Sequence, residues 1–191
     1  MGCGLGERAL VIILNGVGSV GKTSTARALQ EISERPLLHV SMDGFIGMMP
    51  ARMFGHPDGL VFAAKEENGN PLVQVSSGPV MKRAMSGMRH AVAAMAAQGN
   101  DLIVDDVMFD AREAQEYREL LAGFDLRMVG LFASLEVLEQ RERARGDREI
   151  GLARWQYERV HRGMVYDLEI DTDATTAMEN AAMIKERFTL K

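Results

Sequence analysis

With 191 residues, 47% of them hydrophobic and 26% charged, the chain is long enough to enclose a real core and too ordinary in composition for a disordered or fibrous protein. A formal net charge of −5 argues against broad binding of nucleic acid or anionic membranes, which needs a basic surface. Cys3, the single cysteine, rules out an intrachain disulfide and a cysteine zinc site, so a reducing cytoplasm is the expected setting.

Residues 1–7 read as a floppy leader. Met1-Gly2-Cys3 has the start of an acylation signal, but Gly6 stands where Ser or Thr is needed. The apolar run Ala9-Leu10-Val11-Ile12-Ile13-Leu14 predicts a strand, and Asn15-Gly16 interrupts it before it can serve as a secretory or membrane segment. Next comes Gly16-Val17-Gly18-Ser19-Val20-Gly21-Lys22-Thr23, a complete G-x-x-x-x-G-K-[ST] string, and a helical pattern over Lys22–Ile32. A buried strand feeding a glycine loop and a helix N-terminus is a phosphate-binding device. The candidate nucleotide contacts are Gly16, Gly18, Ser19, Val20, Gly21, Lys22, Thr23 and Ser24. Lys22 can neutralise the β- and γ-phosphates of ATP, and the Thr23 hydroxyl can ligate Mg²⁺. The bland alternative is a glycine-rich turn.

The second strand is predicted over Leu37–Ser41 and is followed by Asp43, at the mouth of the sheet. A kinase acting on an alcohol needs a base there; equally, Asp43 can cap a helix over Gly44–Met49. Residues 50–77 are rich in Gly and Pro and hold a turn signal at Glu66–Asn70, which predicts a β-hairpin insertion on the substrate side. A long helix is expected over about Gly78–Ala97. Leu102-Ile103-Val104-Asp105-Asp106 reads as a third strand ending in acid. Strand alternation sends the two carboxylates to opposite faces, so one of Asp105 and Asp106 is expected at the metal; a turn or capping pair is the alternative.

Further elements are predicted as helix Ala111–Ala122, strand Leu126–Phe132, helix Leu135–Ala144, helix Leu152–His161, strand Leu168–Asp171 and helix Thr175–Phe188. This alternation implies a parallel sheet with helices on both sides and a ligand at the carboxyl ends of its strands. No linker or repeat divides residues 1–191, so one domain is expected. Arg141 and Arg145 share a helical face, and Arg148 lies beyond Gly146, where the chain can hinge. Residues 141–150 therefore form a candidate lid whose guanidinium groups suit a migrating phosphoryl group. Alternatively they are a solvated face laced by Glu139, Glu142 and Glu149.

Several blocks together resemble the chloramphenicol phosphotransferase family. They are Ile12–Gly16 with the phosphate loop, Asp43 with Phe45-Ile46 and Met49-Pro50, Ile103–Val107, Ala144-Arg145-Gly146-Asp147-Arg148, and Val160–Thr172 with its Tyr166-Asp167-Leu168-Glu169-Ile170-Asp171-Thr172 core. The likeness runs from about residue 10 to residue 185. It implies a P-loop kinase fold with a five-stranded parallel sheet, shared with shikimate and adenylate kinases. It implies transfer of the ATP γ-phosphate to a primary hydroxyl of the antibiotic, with Asp43 matching the catalytic aspartate and Arg145 and Arg148 the lid arginines. Residues 54–72 look longer here than in the family, which leaves the acceptor open.

Phe45, Met49, Met53, Phe54 and Phe62 are the candidate substrate wall, fitting a small molecule with an apolar body. Met81, Met85 and Met88 occur at one-face helical spacing and can serve either that wall or the core. Three readings follow: a chloramphenicol-phosphotransferase-like resistance kinase, a kinase of another hydroxyl-bearing metabolite or antibiotic, and a non-catalytic nucleotide switch. A GTPase switch would want Asp-x-x-Gly and Asn-Lys-x-Asp, and neither string occurs. The sequence sets no oligomeric state.

Overall fold

A computed structural model of the chain describes residues 8–146 and 149–190. Five strands, β1 (Leu10–Asn15), β2 (Leu37–Ser41), β5 (Asp101–Asp106), β6 (Asp125–Phe132) and β7 (Leu168–Asp171), form a parallel sheet in the order β2-β5-β1-β6-β7. Between β2 and β5 the chain makes an antiparallel hairpin, β3 (Leu60–Glu67) and β4 (Asn70–Ser77). Pairing of Glu67 with Asn70 leaves Asn68-Gly69 as a two-residue turn, with φ of 52° and 75°. Those left-handed angles match the twist of the flanking strands, and Asn-Gly is the pair that adopts them most readily.

Every residue of β1 is buried, because the central strand is covered on both faces. Its alternation divides the core in two. Leu10, Ile12 and Leu14 pack with Ala26 and Leu29 of α1 (Lys22–Ile32) and with Ala181 and Ile184 of α7 (Ala177–Arg187). Val11 and Ile13 pack on the other face with Met88, Val92 and Ala96 of α3 (Pro79–Ala97) and Ala114 and Tyr117 of α4 (Ala111–Leu120). Burying each large aliphatic side chain contributes about 1.5–3 kcal/mol, so this double layer holds the sheet rigid beneath its carboxyl edge. A third, smaller cluster of Met49, Leu60, Met81 and Met85 ties the hairpin to α3. Met81, Met85 and Met88 are thus core residues.

Several helices differ from their predicted bounds: α4 ends two residues early, at Leu120, and α7 covers only Ala177–Arg187. α2 covers Met42–Gly47, two residues earlier than expected, because Ser41 rather than Asp43 caps it. α6 ends at Tyr157, and the chain turns through residues 158–163 instead of continuing the helix. α5 spans Leu135–Arg145 and stops at Gly146, whose φ of 69° is the left-handed ending that glycine supplies. Among the described residues no helix is long and apolar enough to cross a membrane.

Candidate functional site

The loop between β1 and α1 curls because two of its residues are left-handed, Ser19 at φ 67° and Gly21 at φ 101°. A non-glycine residue in that region is uncommon and costs backbone energy, which points to a functional constraint. α1 then begins without a side-chain cap and without an acidic residue in its first turn. The positive end of its dipole, with its unsatisfied N–H groups, is left for an anion. Lys22 Nζ donates to Gly16 O at 2.7 Å and Val17 O at 3.1 Å, folded back over the loop.

Thr23, at the start of α1, donates its hydroxyl to Asp105 Oδ2 at 2.6 Å. His39 Nε2 on β2 lies 3.2 Å from the same oxygen. Burial pushes the Asp105 carboxyl up, but the His39 hydrogen bond, the Lys22 charge and the Thr23 hydroxyl outweigh it and hold the group below the usual carboxylate value. Asp106 faces the other way, as strand alternation requires. It is buried, accepting from Val107 N at 2.7 Å and the Tyr117 hydroxyl at 3.0 Å, and burial raises its pKa. The metal expectation for Asp106 is therefore corrected: its carboxylate bonds to Tyr117 of α4, while Asp105 alone of the pair bonds to Thr23. The notion of a capping pair fails as well, since Asp110 caps α4.

Asp43 lies in the first turn of α2. The cap role goes to Ser41, whose Oγ accepts from Gly44 N at 3.2 Å. Asp43 lines a cavity of about 80 Å³ together with Lys22, Thr23, Asp105 and Arg145. A larger cavity of about 440 Å³ adjoins it, sharing Ser19, Gly21, Ser24 and Arg145. Val20, Arg141, Thr172 and Asn180 complete the larger wall. Arg141 is held there by hydrogen bonds to Thr172 O at 2.7 Å and Thr172 Oγ1 at 3.1 Å.

Of the acidic residues around these arginines, Glu139 pairs with exposed Arg143 and Glu149 is exposed, as on a solvated face, but Glu142 is not. Glu142 is buried, and its two oxygens accept from Gly151 N and Ala153 N, each at 2.8 Å. A carboxylate on α5 thereby caps α6 (Leu152–Tyr157) across the strap between them. Glycine is required at position 151, where φ is 102° and a Cβ would meet Pro71 O of the hairpin at 2.5 Å. Glu139 pairs with Arg154 at 2.5 Å. Arg148 lies outside the described residues.

The predicted substrate wall is only partly assembled. Met49 is buried in the hairpin cluster, and Phe45 and Met53 pack against it. Phe54 and Phe62 are 44% and 38% exposed. The cavity at Asp43 is lined on its apolar side by Met42 and Val107, and none of the five wall residues reaches it.

Sequence reasoning missed His39, Glu142 and Gln156, whose Oε1 accepts from Gly18 N of the phosphate loop at 2.6 Å. It also missed Asn15, although a polar residue closing an otherwise apolar strand is a readable signal. Asn15 donates to Tyr166 OH at 2.7 Å and Val160 O at 3.0 Å and accepts from Met108 N at 2.9 Å. It thus holds three chain segments behind the loop. His161 Nδ1 meets the Tyr166 hydroxyl at 2.8 Å, completing this network.

Two Mycobacterium tuberculosis proteins, from strains CDC 1551 and H37Rv, are each 31% identical to the chain over 183 residues, 93% of this chain and 81% of theirs; their names describe them as candidate O-phosphotransferases. Among solved structures, the M. tuberculosis APS kinase CysC in complex with AMPPNP and APS matches with a TM-score of 0.66 at 16% identity, covering 96% of this chain and 99% of that one. A sugar kinase from Janibacter sp. HTCC2649 matches equally well, at TM-score 0.66, 16% identity and 95% of each chain. The Deinococcus radiodurans tunicamycin resistance protein follows at TM-score 0.64 and 20% identity, over 96% of this chain and 98% of that one. At these identities the structures establish a P-loop kinase fold. The family described as chloramphenicol phosphotransferase-like protein matches residues 9–189, and with that span, nearly the whole of the sheet and both cavities, the chain belongs to it.

Proposed function

We propose that the chain is an ATP-dependent kinase that moves the γ-phosphoryl group of ATP to a hydroxyl of a small molecule. The observation that carries this reading is the convergence of Lys22, Thr23, Asp43, Asp105 and Arg145 on one cavity at the carboxyl edge of the sheet. Phosphoryl transfer asks a protein mainly for position and charge, and these residues supply both. The loop N–H groups and the start of α1 hold the phosphates. Lys22 swings from its carbonyl partners onto β- and γ-oxygens. The adjoining cavity at Ser24, Arg141, Thr172 and Asn180 takes the nucleoside.

Thr23 Oγ1 and Asp105 Oδ2 are hard oxygen donors side by side, and they fit Mg²⁺, which keeps waters and phosphate oxygens as its other ligands. No group of three or more His, Cys, Asp or Glu residues gathers for a metal among the described residues, consistent with a site completed by phosphate. When bound, Mg²⁺ neutralises phosphate charge; His39 keeps Asp105 oriented toward it. Asp43 receives the acceptor hydroxyl in line with the β–γ bridge. The acceptor O–P bond forms, the bridge breaks to release ADP, and the hydroxyl proton passes to Asp43. Arg145, with Arg148 from the strap, balances charge on the moving group. The reaction belongs in a reducing cytoplasm, where ATP is available.

The acceptor is a neutral molecule with an apolar or aromatic body and a primary hydroxyl. Residues 44–64 carry only Arg52 and Asp58 as formal charges, too few for a sugar phosphate. Phe54 and Phe62, both partly exposed, offer its contact surface. Chloramphenicol, by family, heads the panel, followed by other antibiotics, nucleosides and metabolite alcohols. Each is incubated with Mg·ATP and the products are read by mass spectrometry. A phosphorylated neutral alcohol is expected; failure of the chain to bind Mg·ATP in calorimetry would overturn the assignment.

A further inference from the structure

A phosphate loop works by offering backbone N–H groups to an anion. Here one of those donors is taken. Gly18 N donates to Gln156 Oε1 at 2.6 Å, and Lys22, the loop's cation, donates to Gly16 O and Val17 O. Gln156 is 5% exposed, and it lines the small cavity with Lys22, Asp43 and Asp105. Its oxygen therefore lies inside the phosphate site. The approach is close because residue 18 is glycine: a Cβ there would meet Gln156 Oε1 at 3.1 Å.

Resting on the kinase reading of this site, we propose that Gln156 is an internal ligand of the phosphate loop, competing with nucleotide phosphate for the Gly18 N–H. The carboxamide carbonyl is a neutral mimic of a phosphate oxygen. It satisfies a part-buried donor that would otherwise lack a protein partner in the empty loop. A nucleotide must displace it, so each bound phosphate group gains less than the loop could give. The same competition helps the product leave, because Gln156 returns to Gly18 as ADP withdraws. Gln156 also sits on α6, whose first N–H groups are held by Glu142 of α5. Its backbone therefore stays in place while the side chain swings out.

The test uses the full chain with Gln156→Met, which keeps the bulk and removes the carbonyl, and Gln156→Glu, which keeps the shape and adds a charge. Mg·ADP and Mg·AMPPNP are titrated by calorimetry, with thermal melts as a check on folding. Gln156→Met should bind Mg·ADP about two- to tenfold tighter, the worth of one hydrogen bond. Gln156→Glu should bind about tenfold or more weakly, because a carboxylate holds the N–H harder and repels phosphate. Opposite signs are the signature; a residue that merely packs would weaken binding in both variants or neither. Unchanged or weaker binding in folded Gln156→Met overturns the proposal. If the wild type binds neither nucleotide, the kinase reading falls with it; if the wild type binds and the variants match it, only the role of Gln156 falls.

Discussion

The phosphate loop rests on β1, a strand buried at every residue, whereas the hairpin β3–β4 exposes most of its length and reaches the body through Met49, Leu60, Met81 and Met85. The first region is fixed by a core on both faces of a sheet. The second stands on a smaller cluster and on a main-chain bond from Val73 N to Gly151 O. Substitutions in the hairpin should therefore disturb the layer beneath Lys22 and Asp105 less than substitutions in β1 do. Methionine in that cluster suits the task, since its flexible side chain fills whatever gaps a changed neighbour leaves.

The sharpest way to break this contrast is to damage the phosphate side. Lys22→Ala should lower transfer by about a thousandfold, since it removes the charge nearest the γ-phosphate. Single-turnover assays check this, and wild-type turnover would disprove the ATP site. Asp43→Asn should cost about a hundredfold in kcat with nucleotide affinity intact. An unchanged rate would leave Asp43 without a role as base.

His39→Ala should weaken Mg²⁺ about tenfold in metal titrations against nucleotide, because it loosens the orientation of Asp105. Unaltered Mg²⁺ dependence would reduce the His39 contact to packing. On the acceptor side, Phe62→Ala should raise KM for the acceptor about fivefold, the loss of roughly 1 kcal/mol of partial apolar burial, and leave KM for ATP as it was. A change in both constants would merge the two regions into one.

A separate effect concerns stability rather than activity. Burial holds the His161 pKa down, from 6.5 to about 4. Between those values the unfolded chain binds the proton and the folded chain does not, so this contribution to stability is lost as pH falls from 6.5 toward 4. Thermal melts across that window should show a smaller decline for His161→Asn than for the wild type; parallel curves would refute the linkage.

The sheet was legible because continuous apolar runs such as residues 9–14 have no other soluble use, and the turn at Asn68-Gly69 because few other pairs accept those angles. The role of Asp43 was not, since Ser41 and Asp43 are both good caps and only the folded helix start chooses between them. Glu142 reads as one charge among many in a polar run; its burial depends on α6 packing back against α5, which no local pattern records. Gln156 and His39 gain their partners through contacts 138 and 66 residues away in sequence, which no periodicity records.

Val73 N of the hairpin donates to Gly151 O at 3.0 Å, so this ribbon and the N-terminus of α6 are joined through main chain. This splice is indifferent to side-chain identity. Substitutions can redraw the side chains of the ribbon and still leave it tied to the start of α6, the helix that carries Gln156.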